Sequence, residues 1–252
     1  MIRRLGVIDS GLGGLSVLNP LRDAFPHVDM IYVGDFGHAP YGTKDKATVS
    51  LRVHTVYRWL LTQNIDAFVI ACNTATLAVD LADFNVPTFD VVTMNLAGLQ
   101  AKLKSGKVLV LGTDLTIASH VYQKRLRALG YHEVSLAAQS LVTLVENEPL
   151  NTAKSHQVVR ETLTRYIGRD VAAIILGCTH FSWIKVEIQS CFPQAILIDG
   201  IRELSSRLQK QIISNSQTGQ LTLVTTESKD SLDRMKTFLS NPSNKEIQLK
   251  NV

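Results

Sequence analysis

Short apolar runs of strand length recur along the chain, and longer stretches with helical spacing of apolar residues separate most of them. The runs are Leu5-Gly6-Val7-Ile8, Met30-Ile31-Tyr32-Val33, Ala67 to Ala71, Val91-Val92, Val108 to Leu111, Ala173 to Leu176, Ala195 to Ile198 and Leu221 to Val224. Each reads as a short buried strand, and strands alternating with helices predict parallel sheets flanked by helices, with right-handed crossovers. The fold class is therefore α/β. The stretch Ile65 to Thr74 echoes Val171 to Thr179, a weak internal likeness that suggests two related halves. Ser214 to Gln220 reads as a polar loop before the last strand, and the chain after Pro242 as a polar, mobile tail.

Two of these strands end on cysteine. Cys72 closes Ala67 to Ala71, and Cys178 closes Ala173 to Gly177. In α/β proteins the edge where parallel strands hand over to helices is where ligand chemistry is placed, so two thiols are expected to face one cleft. Asn73 and Thr74 precede the helical pattern Ala75 to Val79, which puts the Cys72 thiol at a helix N-terminus, a setting that favours thiolate. Cys178 repeats the arrangement, with Thr179 as the expected N-cap and His180 as a proton partner or orienting group. Cys191, in Gln189-Ser190-Cys191-Phe192-Pro193, has no such setting and reads as a small buried hydrophobe.

Composition narrows the class. With 252 residues, 45% apolar and 19% charged, the chain can bury a substantial core as one large or two small domains. The net charge of +4 suits a small anionic ligand, but the basic residues are scattered, so no nucleic-acid partner is expected. No segment approaches the ~18 apolar residues of a membrane span, and Met1-Ile2-Arg3-Arg4 lacks the apolar stretch of a signal peptide. Three cysteines without CxxC or CxxH spacing fit neither a disulfide framework nor a structural zinc site. No membrane association and no metal are expected, and a reducing cytoplasm is the expected compartment.

Other segments carry weaker signals. Asp9-Ser10-Gly11-Leu12-Gly13-Gly14-Leu15-Ser16 follows the first strand and opens a helix. It is either a glycine-rich turn admitting a ligand to the backbone or a tight turn capped by Asp9. It is not a dinucleotide fingerprint, because the third glycine of GxGxxG falls at Ser16. Ala39-Pro40-Tyr41-Gly42-Thr43-Lys44 is a rigid turn whose amides can hold a carboxylate. Asp9 is placed to share a mouth with Cys72, and Glu146 and His180 to share the side of Cys178. The remaining histidines read as surface or capping residues, with no HExxH spacing among them.

Taken in order, several motifs resemble the glutamate racemase family of the aspartate/glutamate racemase superfamily. They are Asp9 to Ser16, Gly34-Asp35, Pro40 to Lys44, Ala71-Cys72-Asn73-Thr74-Ala75, Gly112-Thr113 with Thr116-Ile117 and Ser119, Leu144-Val145-Glu146, Leu176 to His180, and Ile198-Asp199. The resemblance implies two pseudo-symmetric α/β domains, 1–92 plus 202–252 and 93–201, with mainly parallel sheets and the active site in the cleft between them. It further implies a homodimer, an acidic amino acid as substrate, glutamate or aspartate, and no cofactor. Racemisation removes the α-hydrogen from one face and returns a proton to the other, so bases on both sides of Cα suffice. The implied bases are Cys72 and Cys178, with Asp9 assisting the first and His180 and Glu146 the second. A turnover of ~10 per second corresponds to a barrier of about 16 kcal/mol, which requires fixed hydrogen-bond donors where charge develops. The resemblance assigns substrate positioning to Ser10, Tyr41, Gly42, Asn73, Thr74, Thr113, Thr116 and Thr179.

The chain departs from the family pattern at three places. Thr93-Met94-Asn95 stands for Glu-Pro-Gly, Ala137-Ala138-Gln139 for Ala-Cys-Pro, and Phe36-Gly37-His38-Ala39 where an Ala-Arg pair is common. These touch substrate choice rather than proton transfer. Alternatives are a superfamily relative with another substrate, such as a decarboxylase, and a non-catalytic binding protein with the same fold. A pyridoxal phosphate racemase lacks a lysine environment for a Schiff base.

Overall fold

The computed structural model describes residues 1–213, 218–241 and 245–248. The chain opens with β1 (Arg4–Asp9), α1 (Leu15–Ala24), β2 (Asp29–Gly34), α2 (Lys46–Thr62), β3 (Ala67–Ile70), α3 (Asn73–Ala78) and β4 (Thr88–Asp90). It continues through α4 (Val91–Lys102), β5 (Lys107–Gly112), α5 (Asp114–Ala118), α6 (Val121–Ala128), β6 (His132–Ala137), α7 (Gln139–Asn147) and α8 (Ala153–Leu163). The last elements are β7 (Ala173–Gly177), α9 (Lys185–Cys191), β8 (Ile196–Ile198), α10 (Ile201–Gln209), β9 (Leu221–Thr225), α11 (Lys229–Thr237) and β10 (Lys245–Gln248).

The strands form two sheets, ordered β10-β9-β2-β1-β3-β4 and β6-β5-β7-β8, with every pairing parallel. The larger sheet takes its strands from both ends of the chain, and the smaller lies wholly in the middle. β1 is central, with Val7 opposite Tyr32 on one side and Val69 on the other.

Side chains alternate across each sheet, so each strand feeds two cores. On one face of the larger sheet Leu5 and Val7 meet Leu15, Leu18 and Leu21 of α1. On the other, Ile8, Ile31 and Val33 meet Val49, Val53, Val56 and Leu60 of α2. The 4-3-4 spacing of those α2 residues is the stripe of an amphipathic helix, and Asp45 starts it by accepting the Thr48 amide at 2.8 Å. In the smaller sheet Leu109 and Leu111 pack with α7 and α8, and Val108 and Val110 with α4 and α6.

The structure corrects several readings of the apolar pattern. Val91-Val92 is the first turn of α4 rather than a strand: Asp90 accepts the Thr93 amide at 2.8 Å and caps the helix there. The strand is the preceding Thr88–Asp90. β6 was not announced by an apolar run, because His132-Glu133-Val134-Ser135-Leu136-Ala137 is a half-exposed edge strand. Leu221–Thr225 is followed by β10 and is not the last strand. Of the expected polar loop, 214–217 lie outside the described residues, as do 243–244 and 249–252 of the expected tail, whose residues 245–248 pair with β9 instead of hanging free. Among the described residues no helix is long and apolar enough to cross a membrane, and no cluster of three His, Cys, Asp or Glu could hold a metal.

Candidate active site

A cavity of about 310 Å³ opens where the C-terminal ends of strands from both sheets face each other. Its wall takes Ser10 and Gly11 after β1, Tyr41 and Gly42 after β2, and Cys72 and Thr74 after β3. The smaller sheet supplies Thr113 after β5, Gln139 and Glu146 from α7, and Cys178, Thr179 and His180 after β7. Arg234 of α11 also lines the cavity. Both expected thiols therefore line one cavity, one from each sheet.

Cys72 is the N-cap of α3, and its Sγ accepts the Ala75 amide at 3.5 Å. The helix terminus does not win here, contrary to the sequence expectation. Burial pushes the Cys72 thiol well up, the Asp9 charge adds to it, and the Ala75 and Thr74 amides only oppose them. Cys178 precedes a short 3-10 turn over Thr179–Ile184, and its Sγ lies 3.6 Å from His180 Nδ1. His180 Nε2 bonds Glu146 Oε1 at 2.6 Å, and Arg234 donates to Glu146 Oε2 at 2.6 Å. Burial alone would lower the His180 imidazole, but Cys178 and Glu146 outweigh it and raise it to about 10. Glu146 is held below the usual carboxylate range, because bonds and charge from His180 and Arg234 exceed the cost of burial.

Thr179 does not cap the turn as expected. Its hydroxyl donates across the cleft to Asp9 Oδ2 at 3.1 Å, and its carbonyl accepts from Ser16 Oγ at 3.0 Å. Asp9 Oδ1 accepts the Gly11 amide at 3.0 Å, so Asp9 bonds to its own turn and to the Cys178 side, reaching Cys72 through charge alone. Burial raises the Asp9 carboxyl, against the pull of His180. The glycine-rich turn faces the cavity at Ser10 and Gly11, whereas at Gly13 what approaches it is protein: a Cβ there would overlap Thr179 Oγ1 and His180 Nδ1.

Tyr41 lies on the wall, but its hydroxyl is committed to Asp35 Oδ2 at 2.6 Å. Asp35 also takes a two-pronged contact from Arg52 at 3.0 and 3.1 Å and a bond from Thr226 at 2.7 Å. Burial would raise this carboxyl, yet those donors hold it below its ordinary range. Thr74 and Thr113 face the cavity with their hydroxyls 3.0 Å apart, and Thr116 stands behind them, 3.2 and 2.9 Å away. Asn73 is likewise off the wall: its Oδ1 accepts from Tyr122 at 2.6 Å and from Asn95 at 3.3 Å. Ser10 and Gly42 line the wall as expected. Gln139 and Arg234 were not singled out as site residues in the sequence; Gln139 is marked there only as a departure from a motif.

The sequence model described as Asp/Glu/Hydantoin racemase matches residues 16–207. The chain belongs to this racemase family. It is 34% identical over 235 residues to the glutamate racemase of Aquifex aeolicus (strain VF5), covering 92% of each chain. Among solved structures, a glutamate racemase isoform from Bacillus anthracis superposes with a TM-score of 0.87 at 28% identity, covering 98% of this chain and 97% of the other. The Francisella tularensis glutamate racemase in complex with D-glutamate gives 0.84 at 26%, covering 99% and 97%. An aspartate racemase from Picrophilus torridus, at 18% identity and a TM-score of 0.62 over 83% of this chain and 94% of that one, shares the fold alone. The protein is thus an amino-acid racemase of two α/β domains with its candidate site in the cleft between them.

Within this racemase the departures from the family pattern have definite places. Asn95 braces Asn73 and Tyr122 behind the cavity, and the latter hydroxyl is 2.7 Å from Asn95 Nδ2. His38 joins the Asp35 cluster at 3.0 Å. Gln139 stands on the cavity wall.

Proposed function

We propose that this racemase interconverts L- and D-glutamate by passing the α-proton between Cys72 and Cys178. The observation that carries the reading is that the two thiols line one cavity, each at the end of a strand from a different sheet. Glutamate is favoured over aspartate because the relative at 34% identity over 92% of both chains is a glutamate racemase. The relative solved with D-glutamate has the same architecture.

One thiolate takes the α-proton, leaving the electron pair on Cα and the carboxylate, and the opposite thiol returns a proton to the other face. Proton count and charge are unchanged over the cycle, and no cofactor takes part. In the resting protein Cys72 is the donor, since burial and the Asp9 charge keep its proton on. Cys178 is the base, with the His180 imidazolium against its sulfur and Glu146 holding that ring in place. After one turnover the roles are reversed, and the next substrate of opposite hand resets them. The carbanion develops in a cavity walled by the hydroxyls of Ser10, Thr74 and Thr113, whose dipoles stabilise it, while Thr179 directs its hydroxyl proton to Asp9. Asn73 and Thr116 act from behind, as props for these groups.

The test is proton NMR of L- and D-glutamate and L- and D-aspartate in deuterated buffer without added cofactor. Loss of the α-proton signal with inversion is expected on glutamate. Cys72→Ser and Cys178→Ser are expected to lower inversion by roughly 10³-fold or more with the fold intact, because a serine hydroxyl is a far poorer base than a thiolate. Full activity in either variant would defeat the two-thiol assignment.

A further inference from the structure

Gln139 opens α7 on the cavity wall with its carboxamide unsatisfied. Its Oε1 is buried and meets no donor, and neither end of the amide has a partner among the described residues. A buried amide oxygen left without a donor destabilises the free protein, so a native site that retains one is arranged for a ligand or water to complete it. The group lies against Gly42: a Cβ on that glycine would fall 2.8 Å from Gln139 Oε1 and 2.6 Å from Thr113 Cβ. Gly42, Thr113 and Gln139 therefore form one wall, shared between the two domains.

The proton-handling groups are engaged elsewhere. Asp9 is bonded to Thr179, and His180 and Arg234 to Glu146, so none of them hydrogen-bonds to the Gly42 wall. A substrate with Cα between the thiols has its side chain left to place, and this wall is where an unpaired polar group is waiting. A half-turn of the last torsion exchanges the oxygen and nitrogen of a carboxamide, so the same side chain can present N–H groups. A carboxylate is an acceptor that such a donor completes with a charge-assisted bond. Proline, the residue of the family motif at this place, has no side-chain donor.

We propose that Gln139 is a specificity-determining residue that donates its side-chain N–H to the distal carboxylate of the substrate, held beside Gly42. The inference rests on the reading of the cavity as a glutamate site.

The test uses the full chain with Gln139→Ala and Gln139→Glu, melting curves to confirm folding, and KM and kcat for both enantiomers of glutamate. Gln139→Ala is expected to raise KM about 10- to 100-fold, the range for a bond to a charged group, with kcat changed less than about threefold. Gln139→Glu keeps the shape but sets carboxylate against carboxylate, so its KM is expected to exceed that of the alanine variant. An unchanged KM in Gln139→Ala, or tighter binding in Gln139→Glu than in Gln139→Ala, overturns the proposal. Calorimetry of D-glutamate binding separates the two readings because it needs no turnover. Wild-type binding without α-proton exchange, lost in Gln139→Glu, supports the Gln139 contact while defeating racemisation of glutamate; no wild-type binding overturns both.

Discussion

Cys72 sits on the first turn of a helix with the Asp9 charge bearing on it, whereas Cys178 has an imidazole 3.6 Å from its sulfur. A thiol kept protonated by burial is a slow nucleophile, so Cys72 is expected to react with iodoacetamide roughly tenfold or more slowly than free cysteine at pH 7.5. Mass spectrometry of the modified peptides across pH checks it: Cys72 alkylation should go on climbing above about pH 10, where an ordinary thiol of pKa ~8.5 has levelled off. Levelling by about pH 10 would show that Cys72 ionises like any exposed thiol. At this scale the thiols were legible, because an apolar run ending in cysteine and then Asn-Thr or Thr-His is a local pattern. Arg234 was not. Its value comes from meeting Glu146, 88 positions away, and nothing within its own stretch of chain announces that contact.

Helix α11 carries Arg234 from the six-stranded domain onto α7 of the other, bonding both the side chain and the backbone carbonyl of Glu146. Removing the cation with Arg234→Met takes away one of the groups that hold the Glu146 carboxyl down, so Glu146 protonates at higher pH and releases His180 earlier. The acid limb of the rate profile is expected to move to higher pH. At neutral pH kcat/KM should fall only roughly two- to fivefold, since the arginine is half-exposed and solvent screens the pair. Rate profiles from pH 4 to 8, with Arg234→Lys restoring the wild-type curve, measure this; coincident profiles for wild type and Met variant would remove Arg234 from the relay. Elements buried on both faces, such as β1, β3, β5 and β7, stood out as apolar runs. β6 did not, because an edge strand shows solvent one side and carries Glu133 and Ser135. The start of α4 was misread because Val91 and Val92 are β-branched, and the capping bond of Asp90 outweighed that preference.

Over the whole molecule, the shifted groups define a pH window for stability. Asp35 and Glu146 have folded values below their ordinary 3.8 and 4.5, so their contribution is complete above those values and is lost as pH falls through the lowered ones. Asp9, raised from 3.8, runs the other way and offsets part of that acid loss. His180 is raised, so its contribution is complete below 6.5 and is lost as pH rises towards about 10, where the buried Cys72 and Tyr41 also oppose ionisation. The melting temperature is expected to be highest between roughly pH 5 and 7 and to fall on both sides; a monotonic rise to pH 10 in calorimetric scans would contradict the charged His180. The α/β class was legible from strand spacing, while the two halves were only hinted at by the echo between residues 65–74 and 171–179 and followed from the family resemblance. The bonds that close the halves on each other, Ser16 to Thr179 and Thr74 to Thr113, were not, because they join segments 163 and 39 positions apart.

The unlike surroundings of the two thiols have a kinetic consequence. L- and D-amino acids have equal free energies in water, so the Haldane relation forces kcat/KM to be the same in both directions. Asymmetry between the Cys72 and Cys178 sides can then appear only as paired differences in kcat and KM, the faster direction having the weaker apparent binding. A substitution at His180 or Asp9 can lengthen the approach to the 1:1 mixture, but it cannot enrich either hand.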